Sequence, residues 1–97
     1  MVEWSKLAPD LKMLVTVYRE NQSGAVVWMS RLAELLDGHC TKLELSKAED
    51  KLNDLGLIDG KYEKVGRLWT HCYKVSSDAE SFVKNISDNL TGYPREG

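Results

Sequence analysis

A chain of 97 residues, with 42% hydrophobic and 29% charged side chains, has the composition of one ordinary globular domain spanning 1–97. Its formal charge of −2 and pI near 5.6 argue against indiscriminate attachment to nucleic acid by bulk charge. The longest apolar run, residues 25–29, is far short of the ~20 residues of a membrane span, so no membrane partner is expected.

The opening MVEWSKL has no apolar core of an export signal. Cys40 and Cys72 are therefore expected as reduced thiols in a cytoplasmic protein, not as a disulfide framework. A first helix is predicted over 5–20, with Pro9 in its first turn, where a missing N–H costs nothing. Leu7, Leu11, Leu14, Val15 and Tyr18 form its apolar stripe, and Met13 and Val17 widen that stripe beyond one face.

Asn21-Gln22-Ser23-Gly24 reads as a turn, and Ala25-Val26-Val27-Trp28 as a short strand. A second helix follows over 30–37, with Leu32, Leu35 and Leu36 inward and Gly38 at its end. Thr41-Lys42-Leu43-Glu44 is a capping box, in which the Thr hydroxyl and the Glu carboxylate each accept from the other's backbone N–H. It should open a third helix running to residue 55, with Leu45, Ala48, Leu52 and Leu55 inward.

Two strands are then expected to pair around a turn at Val65-Gly66. Ser77-Asp78-Ala79-Glu80 reads as a second capping box. It would start a last helix carrying Ala79, Phe82, Val83, Ile86 and Leu90 on one face, before a tail loose from about residue 92. The order helix, strand, helix, helix, hairpin, helix defines an α+β fold.

That order, together with LAELL, LSKAEDKLNDLGLI and VGRLWTHCYKVS, resembles the winged helix-turn-helix transcription regulators, of the ArsR-like and MarR-like kind. The resemblance spans roughly 14–86. It implies a third helix in the major groove of double-stranded DNA, a hairpin wing on the backbone or minor groove, and a homodimer. Carried over residue by residue, it marks Lys42, Ser46 and Lys47 on the third helix and Lys64 and Arg67 on the wing as DNA-binding. Glu49, Asp50 and Asp54 depart from that pattern, because carboxylates facing phosphate cost affinity. They support the alternative of a protein–protein interaction module or assembly subunit.

Charge supports the wing. Over 59–74, Lys61, Lys64, Arg67 and Lys74 outnumber Asp59 and Glu63. The bland reading of those lysines is protection of a sheet edge. His39-Cys40 and His71-Cys72 are poor zinc ligands, because neighbours in a strand point to opposite faces. Neither metal nor cofactor is expected. Trp28 and Trp69 are assigned to the sheet and its core, and Trp4 to a cover over the first helix. No nucleophile–base pair or phosphate loop suggests an enzyme. The surplus apolar residues Trp4, Met13, Val17, Phe82 and Ile86 are expected at the dimer interface.

Overall fold

A computed structural model of the chain describes residues 1–94. The first helix begins later than its apolar stripe suggests. Ala8, just before Pro9, is extended at φ −66° and ψ 156°, as the clash of the proline ring with the preceding residue requires. Residues Trp4–Lys6 form a separate 3-10 turn, and helix α1 spans Pro9–Gln22 with the proline at its start.

Helix α1 is the axis of the domain. Met13, Leu14, Val15, Thr16 and Val17 are five consecutive buried residues, so the helix is enclosed on all sides at its middle. Around it lie β2 (Val27–Trp28), α2 (Met29–Leu35), α3 (Lys42–Asp54), β4 (Leu68–Val75) and α4 (Glu80–Asp88). The one polar member of the buried run, Thr16, donates its hydroxyl to the Lys12 carbonyl at 2.8 Å. Its burial therefore leaves no unpaired group.

This enclosure corrects the expected dimer interface. Met13 and Val17 are 0% exposed and Trp4 is 3% exposed, so all three belong to the core of one chain. The wide apolar arc of α1 meets several elements of its own domain and leaves no surplus for a second copy. Ile86 is half-buried against the same core, and Phe82 alone of the five lies open.

Strand β3 (Ile58–Val65) pairs antiparallel with β4, and β4 with β2, giving the sheet order β2-β4-β3. The hairpin closes through Gly66 and Arg67, one residue further on than expected, with Val65 opposite Leu68. Gly66 has φ 64° and Arg67 does not share the positive sign, the pattern of a two-residue hairpin turn with glycine first. The described residues thus form an α+β domain of four α-helices around a three-stranded antiparallel sheet. Among them no helix is long and apolar enough to cross a membrane.

The end of the chain departs from expectation. Residues Ser77–Ala79 form a 3-10 turn before α4, and no side chain caps that helix. Leu90 leaves the helix for a short strand, β5 (Leu90–Thr91), which pairs in parallel with β1 (Val2–Glu3). Tyr93 is not loose: its ring stands edge-on to Trp4 at 5.0 Å, and the Arg19 guanidinium lies over it at 4.2 Å. Residues 95–97 of the expected tail lie outside the described residues.

Candidate functional site

The capping box at the start of α3 forms as its spacing predicts. The Glu44 N–H donates to the Thr41 hydroxyl at 3.1 Å, and the Thr41 N–H donates to Glu44 Oε1 at 2.8 Å. Leu45, Ala48 and Leu52 then turn inward, whereas Leu55, expected with them, is 60% exposed. The outer surface of the helix carries Lys42, Leu43, Ser46, Lys47, Asp50 and Asp54, all exposed.

The three residues marked on α3 do not form one patch. Lys42 and Ser46 line a cleft of about 810 Å³ between α2 and α3, with Met29, Ala33 and Leu45 as its apolar wall. Lys47 lies on the other flank, beside Ala8, Pro9 and Asp10 at the start of α1. There Lys51 is paired with Asp10 at 3.1 Å.

Besides apolar packing, a side-chain hydrogen bond ties the hairpin to α3. The buried Tyr73 hydroxyl donates to Glu49 Oε2. Burial first, and then this carboxylate partner, push the phenol well above the ordinary tyrosine range. Glu49, a misfit in a DNA-reading face, is thus committed to holding the sheet.

From Tyr73 an aromatic row runs outward along one face of the hairpin. His71 stands 5.1 Å from Tyr73 and 5.2 Å from Tyr62, ring centre to ring centre. Gly60 makes this possible: a Cβ there would lie 2.2 Å from His71 Nε2. Beyond His71 this face of the hairpin is open to solvent, and the third strand, β2, pairs with β4 only at Tyr73 and Cys72. Trp69, assigned to the core by its alternation with Tyr73 and Val75, is instead 69% exposed, and Tyr62 is 67% exposed. Trp28 is half-buried and Trp4 is buried against α1, as expected. Lys64 faces Trp69 across the strands, and Arg67 occupies the turn.

Charge is distributed unequally. Ion pairs join Lys6 to Glu3, Arg31 to Glu34, Lys51 to Asp10 and Lys84 to Asp88. Among the described residues none engages Lys42, Lys47, Lys61, Lys64, Arg67 or Lys74. Lys12 and Arg19 of α1 also have no carboxylate partner but are engaged by the Trp4 and Tyr93 rings, so the remaining unneutralised cations of the described residues lie on the first half of α3 and along the hairpin.

The two His-Cys pairs serve packing. His39 Nδ1 accepts the Trp4 indole N–H at 3.2 Å, and His71 belongs to the aromatic row. Among the described residues no three His, Cys, Asp or Glu side chains are grouped to hold a metal ion.

The same fold occurs in two solved structures. One is AF1382 from Archaeoglobus fulgidus, at 15% identity and a TM-score of 0.66, covering 81% of this chain and 80% of that one. The other is the circadian clock associated protein Pex from anabaena, at 18% identity and a TM-score of 0.65, covering 90% of this chain and 77% of that one. At such identities the likeness is one of fold alone. No family model and no curated protein matches the chain.

Proposed function

We propose that this chain is a winged helix-turn-helix DNA-binding protein that acts as a transcription regulator and not as an enzyme. In this reading α2 and α3 are the helix-turn-helix and the β3–β4 hairpin is the wing. Lys42, Ser46 and Lys47 approach the major groove, and Lys64 and Arg67 hold the wing on the backbone or in the minor groove. One observation carries the reading. Among the described residues the cations of the first half of α3, Lys42 and Lys47, and those of the hairpin lack carboxylate partners, while Lys6, Lys84 and Lys51, in the last turn of α3, have them. An exposed, unpaired cation is what a phosphate contact requires. Ser46 and the neighbouring Leu43, 64% exposed, add a hydroxyl and an apolar surface of the kind that contacts base edges and thymine methyl groups.

The test is duplex binding as a function of salt. A regulator of this kind binds duplex DNA with an affinity that falls with ionic strength. Arg67→Ala lowers the slope by about one unit, the amount that a single neutralised phosphate contributes. Asp50→Asn strengthens binding by removing a carboxylate near the backbone. A chain that shows no salt-dependent duplex affinity overturns the reading. The homodimer implied by the family resemblance would have to be built around Phe82, at 51% exposure, since the other expected interface residues are in or against the core. Sedimentation equilibrium distinguishes it from a monomer of 11.0 kDa.

A second reading has its own support. Leu43 on α3 and Leu55 just after it, at 64% and 60% exposure, accompany Asp50 and Asp54, a mixture suited to docking another protein. In that case Asp50→Asn alters partner capture and leaves DNA affinity unmoved.

A further inference from the structure

We propose that the exposed outer end of the hairpin, on the face that carries Tyr73 and His71, takes unpaired DNA bases, stacking them on Trp69 and Tyr62 while Lys64 and Arg67 hold the flanking phosphates. The inference rests on the DNA-binding reading and adds a ligand class to it: single-stranded DNA, or a duplex opened locally.

The geometry begins with strand register. Lys64 is opposite Trp69 and Tyr62 is opposite His71, so Trp69 and Tyr62 are diagonal neighbours on one sheet face. Diagonal positions stand about 7–8 Å apart, roughly twice the ~3.5–4 Å separation of surfaces in contact. That spacing leaves each exposed ring free to take a planar base against it. The Tyr62 half of the platform is also pre-set. His71 lies in the gap left at Gly60, Tyr62 leans on His71, and His71 leans on Tyr73, which is tied to α3 through Glu49. Side chains held in this way lose little freedom when a ligand arrives.

The chemistry selects the occupant. Two large aromatic side chains, each about two-thirds exposed, lie beside cations that no carboxylate among the described residues neutralises. Flat rings interleaved with positive charge suit a polyanion that presents flat rings of its own. A closed duplex does not present them, because its bases are stacked inside, whereas an unpaired segment does. Protection of the edge strand β3 accounts for Lys61 and Lys64, but not for a tryptophan and a tyrosine turned to solvent.

The experiment compares three probes on the full chain by fluorescence anisotropy: a closed duplex, the same duplex with a central unpaired bubble, and oligothymidylate. The bubble is expected to bind about tenfold more tightly than the closed duplex, the effect of about one stacked base. Trp69→Phe should keep most of that preference. Trp69→Leu and Tyr62→Ala should abolish it while leaving closed-duplex affinity and the circular dichroism spectrum unchanged. Equal affinity for bubble and duplex overturns the proposal and leaves the duplex reading standing. A leucine that serves as well as tryptophan also overturns it, since apolar contact would then suffice without a ring. Binding of oligothymidylate that depends on Trp69, with no duplex binding, supports the hairpin site and removes the duplex reading instead.

Discussion

Helix α1 and the β3–β4 hairpin are both rich in large apolar residues, yet they dispose of them in opposite ways. In α1 the residues that overflow the expected stripe, Met13 and Val17, are wholly enclosed by the domain's own elements. In the hairpin the residues that alternate most regularly, Trp69 and Tyr62, stand in solvent. Apolar width around a helix signals how many neighbours it has. Alternation along a strand says only which residues share a face, and whether that face is covered depends on how far the next layer reaches. Here Ile58, Tyr73 and Val75 at the base of that face are buried, whereas Tyr62 and Trp69, nearer the turn, are not.

Substitution should separate the two regions sharply. Met13→Ala removes a fully enclosed side chain and should cost about 2–5 kcal/mol, a large part of the ~5–15 kcal/mol typical of such a domain. Met13→Lys should unfold the chain. Trp69→Ala, a larger truncation, should change stability by no more than ~0.5 kcal/mol, because its ring is already mostly in water. Urea unfolding of the two alanine variants checks the contrast, and similar losses would break it.

A smaller effect is expected where the hairpin becomes ordered. Gly60→Ala would set a methyl group 2.2 Å from His71 Nε2 and force the imidazole out of its row. The cost should be about 1–2 kcal/mol. In a His71→Ala background it should nearly vanish, because the two changes act on one contact. An undiminished cost there would assign the effect to the backbone of β3 and not to the imidazole. Close to it in size is the cap of α3. Thr41→Ala removes the hydroxyl that accepts the Glu44 N–H and should cost about 1 kcal/mol in the same unfolding assay.

The legibility of these regions in the sequence follows the same division. The order of helices and strands, the Thr41–Glu44 capping box and the glycine turn at Gly66 are readable because each depends on local chemistry. The burial of Met13 and Val17 is not, because a helix in the middle of a domain and a helix at an interface present the same apolar arc. The exposure of Trp69 is hidden because nothing in an alternating strand states where the second layer stops. A signal is present: charged Lys61, Glu63 and Lys64 recur through the facing strand. The Ser77–Glu80 cap fails because a 3-10 turn occupies Ser77–Ala79, leaving the helix to begin at Glu80 with no side-chain cap. Of the marked site residues, Lys42 and Ser46 fall together and Lys47 falls on the opposite flank. The Glu49–Tyr73 tie becomes visible only once the strand register is known.

The smallest effect concerns that tie, where core and hairpin meet. Tyr73→Phe removes the hydroxyl but keeps the ring, and Glu49 is exposed enough for water to replace the missing donor. The cost near neutral pH should be about 0.5–1 kcal/mol. Its pH dependence is more telling. Tyrosine in the unfolded chain ionises near 10.0, whereas burial and the Glu49 carboxylate hold the folded phenol protonated to higher pH. Above pH 10.0 the folded state retains a proton that the unfolded state has released, so the stability present below that pH is lost as pH rises. Phenylalanine cannot contribute that loss. The thiols of Cys40 and Cys72, also raised by burial from 9.0, begin a decline of their own earlier, and it persists in the variant. The stability gap between native chain and variant should therefore be constant from pH ~7 to ~9 and narrow above pH 10.0, as measured by urea unfolding at stepped pH. A gap that stays constant through this range would mean that the Tyr73 phenol is not the group whose proton the hairpin contact retains.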